Sequence, residues 1–305
     1  MEMVYYSIAS PGHPKYERQW IQSIRSLRLY NQNIPVHLLL YNQPSPSILA
    51  EAGRRRVTVH MLGEYRDRLR ELLPKHGDLL SRYPTFHKVL SLRSLPANTR
   101  SRVLYLDCDT FFFGDVAALF HKYRAHHFYA REEPWSRRSH YGYRPSYFDE
   151  DRLRKTAHGE GLAFVAPYNT GICLFNHGVS LPIGAASRRF LSYAWRLLVG
   201  ICHDSGLADT DQTDLFDRVR PTLVQSDLCS RLLYPSGNWW ILEEVAILLT
   251  LGGIPDLSHG VIRREDAPQN GEFFWQSNAQ WPTVAHYYSH MEKQFFRRVP
   301  RLGRT

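Results

Sequence analysis

Apolar and polar positions in the first hundred residues alternate between two rhythms. Val4 to Ala9 is a β-rich apolar run closed by Pro11 and Gly12. Trp20, Ile21, Ile24, Leu27 and Leu29 then recur at near-helical spacing, one face of a helix. Val36 to Tyr41 is a second apolar run, bounded by Pro35 before it and by Pro44 and Pro46 after it. Arg56 to Leu62 is a third, with alternating character; His87 to Leu95 predicts a helix, and Val103 to Leu106 a further strand. Strands separated by helices predict an α/β fold, a sheet that is mostly parallel with helices on both faces. Ligands of such sheets bind beyond the carboxyl ends of the strands.

The second half is less regular. From Glu133 to Gly161 the chain is rich in Arg, Tyr, Ser and His with little periodicity, the pattern of a functional loop or lid, or of disorder. Strand-like sequence resumes over Ala163 to Asn176, and helical patterns cover Ala185 to Cys202 and Leu242 to Leu251. No internal repeat or low-complexity tract interrupts it. The expectation is one domain over 1–305, with a regular part over 1–132, a less regular part over 133–294, and a basic tail over 295–305.

Composition narrows the classes. With 305 residues, 43% hydrophobic and 22% charged, the chain can bury a substantial core. Its formal charge of +9 suits a phosphorylated substrate, an anionic membrane surface or nucleic acid. No RNA-binding signature, finger spacing or basic helix is present, so nucleic acid is not expected as a partner. Cys108, Cys173, Cys202 and Cys229 lie far apart with no CxxC pair, which reads as reduced, buried thiols. No basic-then-apolar leader pattern opens the chain, and no apolar run approaches the ~20 residues of a membrane helix, so a cytoplasmic protein is expected. Phe295, Phe296, Arg297, Arg298, Arg301 and Arg304 combine apolar anchors with cations, a tail able to touch anionic lipid; a solvated basic terminus is the plainer alternative.

The chemistry centres on Arg-Val-Leu-Tyr-Leu-Asp-Cys-Asp-Thr, residues 102–110. An apolar strand runs into two acids two positions apart, so Asp107 and Asp109 can point to the same side. Two neighbouring carboxylates repel unless a cation joins them. Hard cations are commonly held by one or two carboxylates plus substrate phosphates. The plain alternative is a strand-ending turn with solvated acids, and a bare Asp-x-Asp is common. A haloacid-dehalogenase-type phosphatase shares the apolar strand and Asp-x-Asp, but Phe111 and the position of the motif a third of the way along the chain count against it.

These residues resemble the metal motif of GT-A glycosyltransferases, and other segments agree in order. Tyr168 to Asn176, with Asn169-Thr170-Gly171, resembles the Asn-x-Gly strand of family 8 and related enzymes; Asp211-Gln212 resembles that family's Asp-Gln pair; His286-Tyr287 with Lys293 resembles its C-terminal His-Tyr-x-Gly and Lys element. The resemblance implies a GT-A fold, with 1–132 as its nucleotide-binding half and 133–294 as its acceptor-shaping half. It implies Mn2+ or Mg2+ on Asp107, Asp109 and His286, with Asp107 also near the ribose. Lys293 would contact the diphosphate, and Lys88, in Tyr-Pro-Thr-Phe-His-Lys, would lie near the phosphates. Ala9, ending the first strand, belongs with the substrate-binding edge, and Asn169 and Gly171 would shape the donor-sugar pocket. Asp211 and Gln212 would lie beside the anomeric carbon. Ser289 stands where the family usually has Gly, and Lys293 lies one position further from the histidine, so His290 is a rival ligand. Glu243-Glu244, opening an apolar helix, compete with Asp211 for the place beside the sugar, although acids at a helix start are favoured by the dipole alone. Trp239-Trp240 and the aromatics of the 133–161 segment suit an acceptor site, although tryptophans are more often core residues.

The resulting expectation is a metal-dependent transferase moving a sugar from a nucleotide-diphosphate donor, UDP-linked by the family's habit, to a carbohydrate or glycoconjugate acceptor, leaning to retention. A nucleotidyltransferase of the same fold is the enzymatic alternative; Ala9-Ser10-Pro11-Gly12-His13 is a poor match to its Gly-rich basic loop. The non-enzymatic alternative is a sugar-nucleotide-binding protein without turnover.

Overall fold

The structure is a computed structural model describing residues 1–9, 14–72, 74, 81, 87–96, 100–132, 158–159, 161–163, 168–177, 247, 251–254, 256–268 and 281–287. Strand β1 (Glu2–Ile8) leads into helix α1 (Pro14–Tyr30). Strand β2 (Val36–Leu40), helix α2 (Pro46–Arg54) and strand β3 (Val57–Met61) follow. Next come helix α3 (Tyr65–Leu72), helix α4 (His87–Ser91) continued by a 3₁₀ turn at Leu92–Ser94, and strand β4 (Arg102–Leu106). The short strand β5 (Thr110–Phe112), helix α5 (Ala117–Lys122), and strands β6 (Phe128–Glu132), β7 (Tyr168–Phe175), β8 (His259–Val261) and β9 (Val284–His286) complete the described elements.

Seven strands form one sheet in the order β3-β2-β1-β4-β7-β6-β8. Neighbours in β3-β2-β1-β4 are parallel, β7 is antiparallel to both β4 and β6, and β8 is parallel to β6. The sheet is mixed and mostly parallel, as the apolar runs imply. The chain winds outward from β1 to β3 and then returns to the other side of β1 as β4. That reversal opens a crevice at the carboxyl ends of β1 and β4, where open α/β sheets bind ligands.

The central parallel strands β1, β2 and β4 are buried on both faces, which explains why they read as continuous apolar runs, whereas the edge strand β3 is partly exposed. On one face Val4, Tyr6, Ile8, Leu38, Leu40, Leu104 and Leu106 meet Trp20, Ile24 and Leu27 of α1 and Ile48 and Ala52 of α2. Trp20, Ile24 and Leu27 stand at i, i+4 and i+7 and are fully buried, each contributing about 2–3 kcal/mol of transfer free energy. Helix α2 starts where Ser45 Oγ accepts the Ile48 N–H at 3.4 Å, with Pro46 in the first turn.

Of the expected strand over 163–176, Tyr168–Phe175 form β7, while Ala163 and Asn176 lie outside it. Of the helical pattern at 242–251, Ile247 and Leu251 are helical and buried. The helical pattern over 185–202, most of the 133–161 segment, Trp239, Trp240 and the basic tail lie outside the described residues. Among those described, Cys108 and Cys173 are free thiols, and Cys202 and Cys229 lie outside the described residues. No helix among them is long and apolar enough to cross a membrane.

Candidate metal and donor site

The turn after β4 is fixed before any ligand is considered. The Asp107 N–H donates to the Gly171 carbonyl at 2.9 Å, extending the β4–β7 ladder by one residue and carrying Asp107 with it. The Thr110 hydroxyl donates to the Asp107 carbonyl at 2.9 Å, and Ser23 joins Thr110 to Tyr6 through bonds of 2.9 and 2.8 Å. This buried hydroxyl chain ties the acidic turn to α1 and β1. Between the two acids, the Cys108 thiol donates to the Ser7 carbonyl. Burial, then the charges of Asp107 and Asp109, push its pKa well up, so it is an inert thiol.

The third member arrives from the far end of the chain. Strand β9 pairs antiparallel with β5, placing His286 opposite Thr110, and the Tyr287 N–H donates to the Asp109 carbonyl at 3.1 Å. His286 Nε2 then lies 3.1 Å from Asp109 Oδ1 and 3.8 Å from Asp107 Oδ2. One ligand atom from each of Asp107, Asp109 and His286 falls within 4.8 Å of the others, the one such cluster among the described residues.

A three-residue offset in β7 shapes the opposite wall. Strand β6 pairs Ala130 with Cys173 but Arg131 with Asn169, so Thr170, Gly171 and Ile172 are the extra residues of an irregular bulge. Bulges commonly re-aim side chains beside sites. Asn169 Oδ1 accepts the Gly171 N–H at 3.0 Å and lies 3.2 Å from His286 Nδ1. Because that oxygen only accepts, His286 donates through Nδ1, which leaves Nε2 as the nitrogen turned to the carboxylates. Gly171 makes room for the ring: a Cβ there would stand 2.2 Å from His286 Cε1. Burial disfavours the charged imidazole, but the charge and hydrogen bond of Asp109 and the charge of Asp107 outweigh it, so the His286 pKa is raised.

Lys88, on α4 and 6% exposed, closes the cluster. Its Nζ lies 2.9 Å from Asp107 Oδ2 and donates to Thr170 Oγ1 at 3.2 Å. Ala9 is buried at the end of β1, with its carbonyl accepting from Asn42 Nδ2 at 2.6 Å. Tyr16 of α1 stands within electrostatic reach: burial first, and then Asp109 and Asp107, hold its phenol above the ordinary range.

Of the residues singled out from the sequence, Lys88, Asp107, Asp109, Asn169, Gly171 and His286 converge, and Ala9 lies on the neighbouring strand end. Asp211, Gln212, Glu243, Glu244, His290 and Lys293 lie outside the described residues. Thr170, Tyr16 and the Tyr6–Ser23–Thr110 chain carried no local signal; Thr170 was legible only as the middle of the Asn-x-Gly run. Two carboxylate oxygens and one imidazole nitrogen are a fitting donor set for Mn2+, and for Mg2+ through the carboxylates. The site residues come from both halves of the chain.

No protein-family model and no curated protein matches the chain. Solved structures do. Mouse xyloside xylosyltransferase 1, in its apo form, is similar at a TM-score of 0.50 and 11% identity, over 95% of this chain and 99% of that one. The galactosyltransferase LgtC, in complex with donor and acceptor sugar analogs, is similar at 0.47 and 14%, over 94% and 87%. The glycosyltransferase GlyE of Streptococcus pneumoniae TIGR4 is similar at 0.46 and 15%, over 94% of this chain and 55% of that one. At these identities the likeness speaks to architecture and does not single out family 8. With the strand order and the crevice at β1 and β4, the likeness to the xylosyltransferase structure establishes that this chain has the GT-A fold.

Proposed function

We propose that this protein is a metal-dependent glycosyltransferase that moves a sugar from a nucleoside-diphosphate donor, UDP-linked, to a carbohydrate or glycoconjugate acceptor. The observation that carries the reading is the convergence of Asp107, Asp109 and His286 within 4.8 Å, at the strand ends where this fold binds ligands. Acids two residues apart and a histidine 177 positions later are held together by β5–β9 pairing and by Asn169. A solvated turn needs no such arrangement.

In this reading Asp107, Asp109 and His286 hold Mn2+ or Mg2+, which when bound offsets charge on the donor diphosphate. Asn169 keeps the imidazole in the tautomer that presents Nε2. Lys88, and Lys293 from the C-terminal segment, add positive charge where the nucleoside diphosphate leaves. Ala9 borders the nucleotide, and Gly171 with Asn169 borders the donor sugar. The bond from the anomeric carbon to the phosphate oxygen breaks, and a bond from that carbon to the acceptor oxygen forms. With retention, the leaving phosphate takes the acceptor proton and needs no strong protein base; with inversion, a carboxylate takes it. Asp211, Gln212, Glu243 and Glu244 are the residues assigned to that neighbourhood.

The test is a thermal-shift screen of nucleotide sugars with and without Mn2+. A donor that stabilises the protein only together with Mn2+ is expected, and Asp109→Ala should abolish that part of the shift. A metal-dependent shift surviving Asp109→Ala would overturn the assignment. Donor hydrolysis in Mn2+ distinguishes turnover from mere binding.

A further inference from the structure

Asp107 Oδ2 is claimed twice. Of the two Asp107 oxygens it is the one that approaches His286 Nε2, at 3.8 Å, and so it faces the metal cluster. It is also the oxygen that Lys88 Nζ meets at 2.9 Å. The lysine is no casual surface partner. Its side chain is 8% exposed, against 19% for Asp107, and Thr170 on the β7 bulge holds the same nitrogen. A buried ammonium needs an anion beside it.

We propose that Lys88 is a resident counter-ion, standing in at Asp107 for the divalent cation while the site is unliganded, and that its release toward the donor diphosphate couples metal loading to donor binding. The inference rests on the metal-dependent reading above and deepens it. Charge drives it. Asp107, Asp109 and Lys88 together carry one net negative charge, and a divalent cation turns that into one positive charge. The surplus sits on Lys88, whose partner oxygen has just been engaged, and a diphosphate is the anion that relieves it. Bound alone, the cation faces a like charge on the oxygen it needs. Bound with a diphosphate, it does not. Because coupling between two ligands is reciprocal, the same lysine makes the cation strengthen the diphosphate's binding. Thr170 gives the ammonium a polar partner throughout the exchange, on the strand that carries Asn169 and Gly171.

The experiment measures Mn2+ affinity by titration, following the free ion by electron paramagnetic resonance, with UDP absent and with UDP saturating. It uses the full chain as wild type, Lys88→Met and Lys88→Gln. Without UDP, both neutral variants should bind Mn2+ more tightly by on the order of 10-fold, the effect of deleting one nearby like charge. The factor by which UDP tightens Mn2+ binding should shrink by a similar amount. Lys88→Gln keeps a group able to bond Thr170, so it carries the test if Lys88→Met does not fold. Neutral variants that bind Mn2+ no tighter than wild type, or that keep the full UDP effect, overturn the counter-ion role while leaving the metal site intact. Wild type that takes up no Mn2+ instead sinks the site assignment beneath it.

Discussion

Replacing Gly171 with alanine would drive a methyl group into the ring of His286. An ideal Cβ stands 2.2 Å from Cε1, 2.5 Å from Nδ1 and 2.8 Å from Nε2. Non-bonded carbons settle at about 3.5–4.0 Å, so the imidazole has to retreat by more than about 1 Å. The ring is held at both ends, by Asn169 Oδ1 at 3.2 Å and Asp109 Oδ1 at 3.1 Å. A displacement of that size carries both contacts beyond hydrogen-bonding range. Loss of a partner that merely orients a metal ligand costs about 10–100-fold in affinity, and displacing the ligand itself belongs at the upper end. Gly171→Ala should therefore weaken Mn2+ binding by about 100-fold, or about 2.8 kcal/mol. Overpacking of the buried strand should cost a further ~1–3 kcal/mol of folding stability. The cause is isolated by a double-mutant cycle with His286→Ala, read by Mn2+ titration and by urea unfolding in EDTA. Removing the ring removes the three atoms that stand nearest the added methyl. Gly171→Ala should then change either quantity by less than about 0.5 kcal/mol, and the coupling should account for nearly the whole single-mutant effect. A double variant that loses another 100-fold, or a Gly171→Ala protein that binds Mn2+ as wild type does, refutes the packing argument.

Two further outcomes concern charge. In the metal-free protein the raised pKa of His286 means its charged form supports folding fully below about pH 6.5, and that support is lost as pH rises through the higher folded value. Mn2+ requires the neutral ring, so its stabilisation grows over the same range. Unfolding midpoints in EDTA and in Mn2+ should diverge from pH 6 to 8 and run parallel in His286→Ala; parallel curves in wild type would remove His286 from the metal. Glu51, its side chain 1% exposed, bonds Arg25, Arg54 and Arg55, and these guanidinia, Arg25 foremost, hold its carboxyl at about 2. Its support for folding is present above about pH 4.5 and is lost as pH falls toward 2. Glu51→Gln should cost about 2–3 kcal/mol near neutrality, discounted for three partly exposed arginines, and should flatten that acid limb in urea titrations. An unchanged limb would show that the anchoring of α1 to α2 lies elsewhere.

Strands β1, β2 and β4 were legible because burial on both faces makes each a continuous apolar run, and the acids at 107 and 109 were legible because they end one. Helix α2 left a usable sign, Ser45 followed by Pro46, but its buried face is only Ile48, Glu51 and Ala52, too short to show periodicity. The remaining parts of the site depend on neighbours that no local window contains. His286 reaches Asp109 because three residues of β9 pair with three of β5, and neither strand is long enough to announce itself. Resemblance pointed to this histidine; the hydropathy pattern did not. Resemblance put Lys88 near the phosphates, but its burial follows only once Thr170 and Asp107 are brought beside it. What brings them there is the three-residue offset of β7 against β6, which presents Thr170 and Gly171 at the carboxyl end of β4. In the sequence that offset is just an Asn-x-Gly within an apolar run. Its meaning depends on sheet order: only between β4 and β6 can the same residues hold one carboxylate by its backbone, orient one imidazole through Asn169 and anchor one ammonium through Thr170.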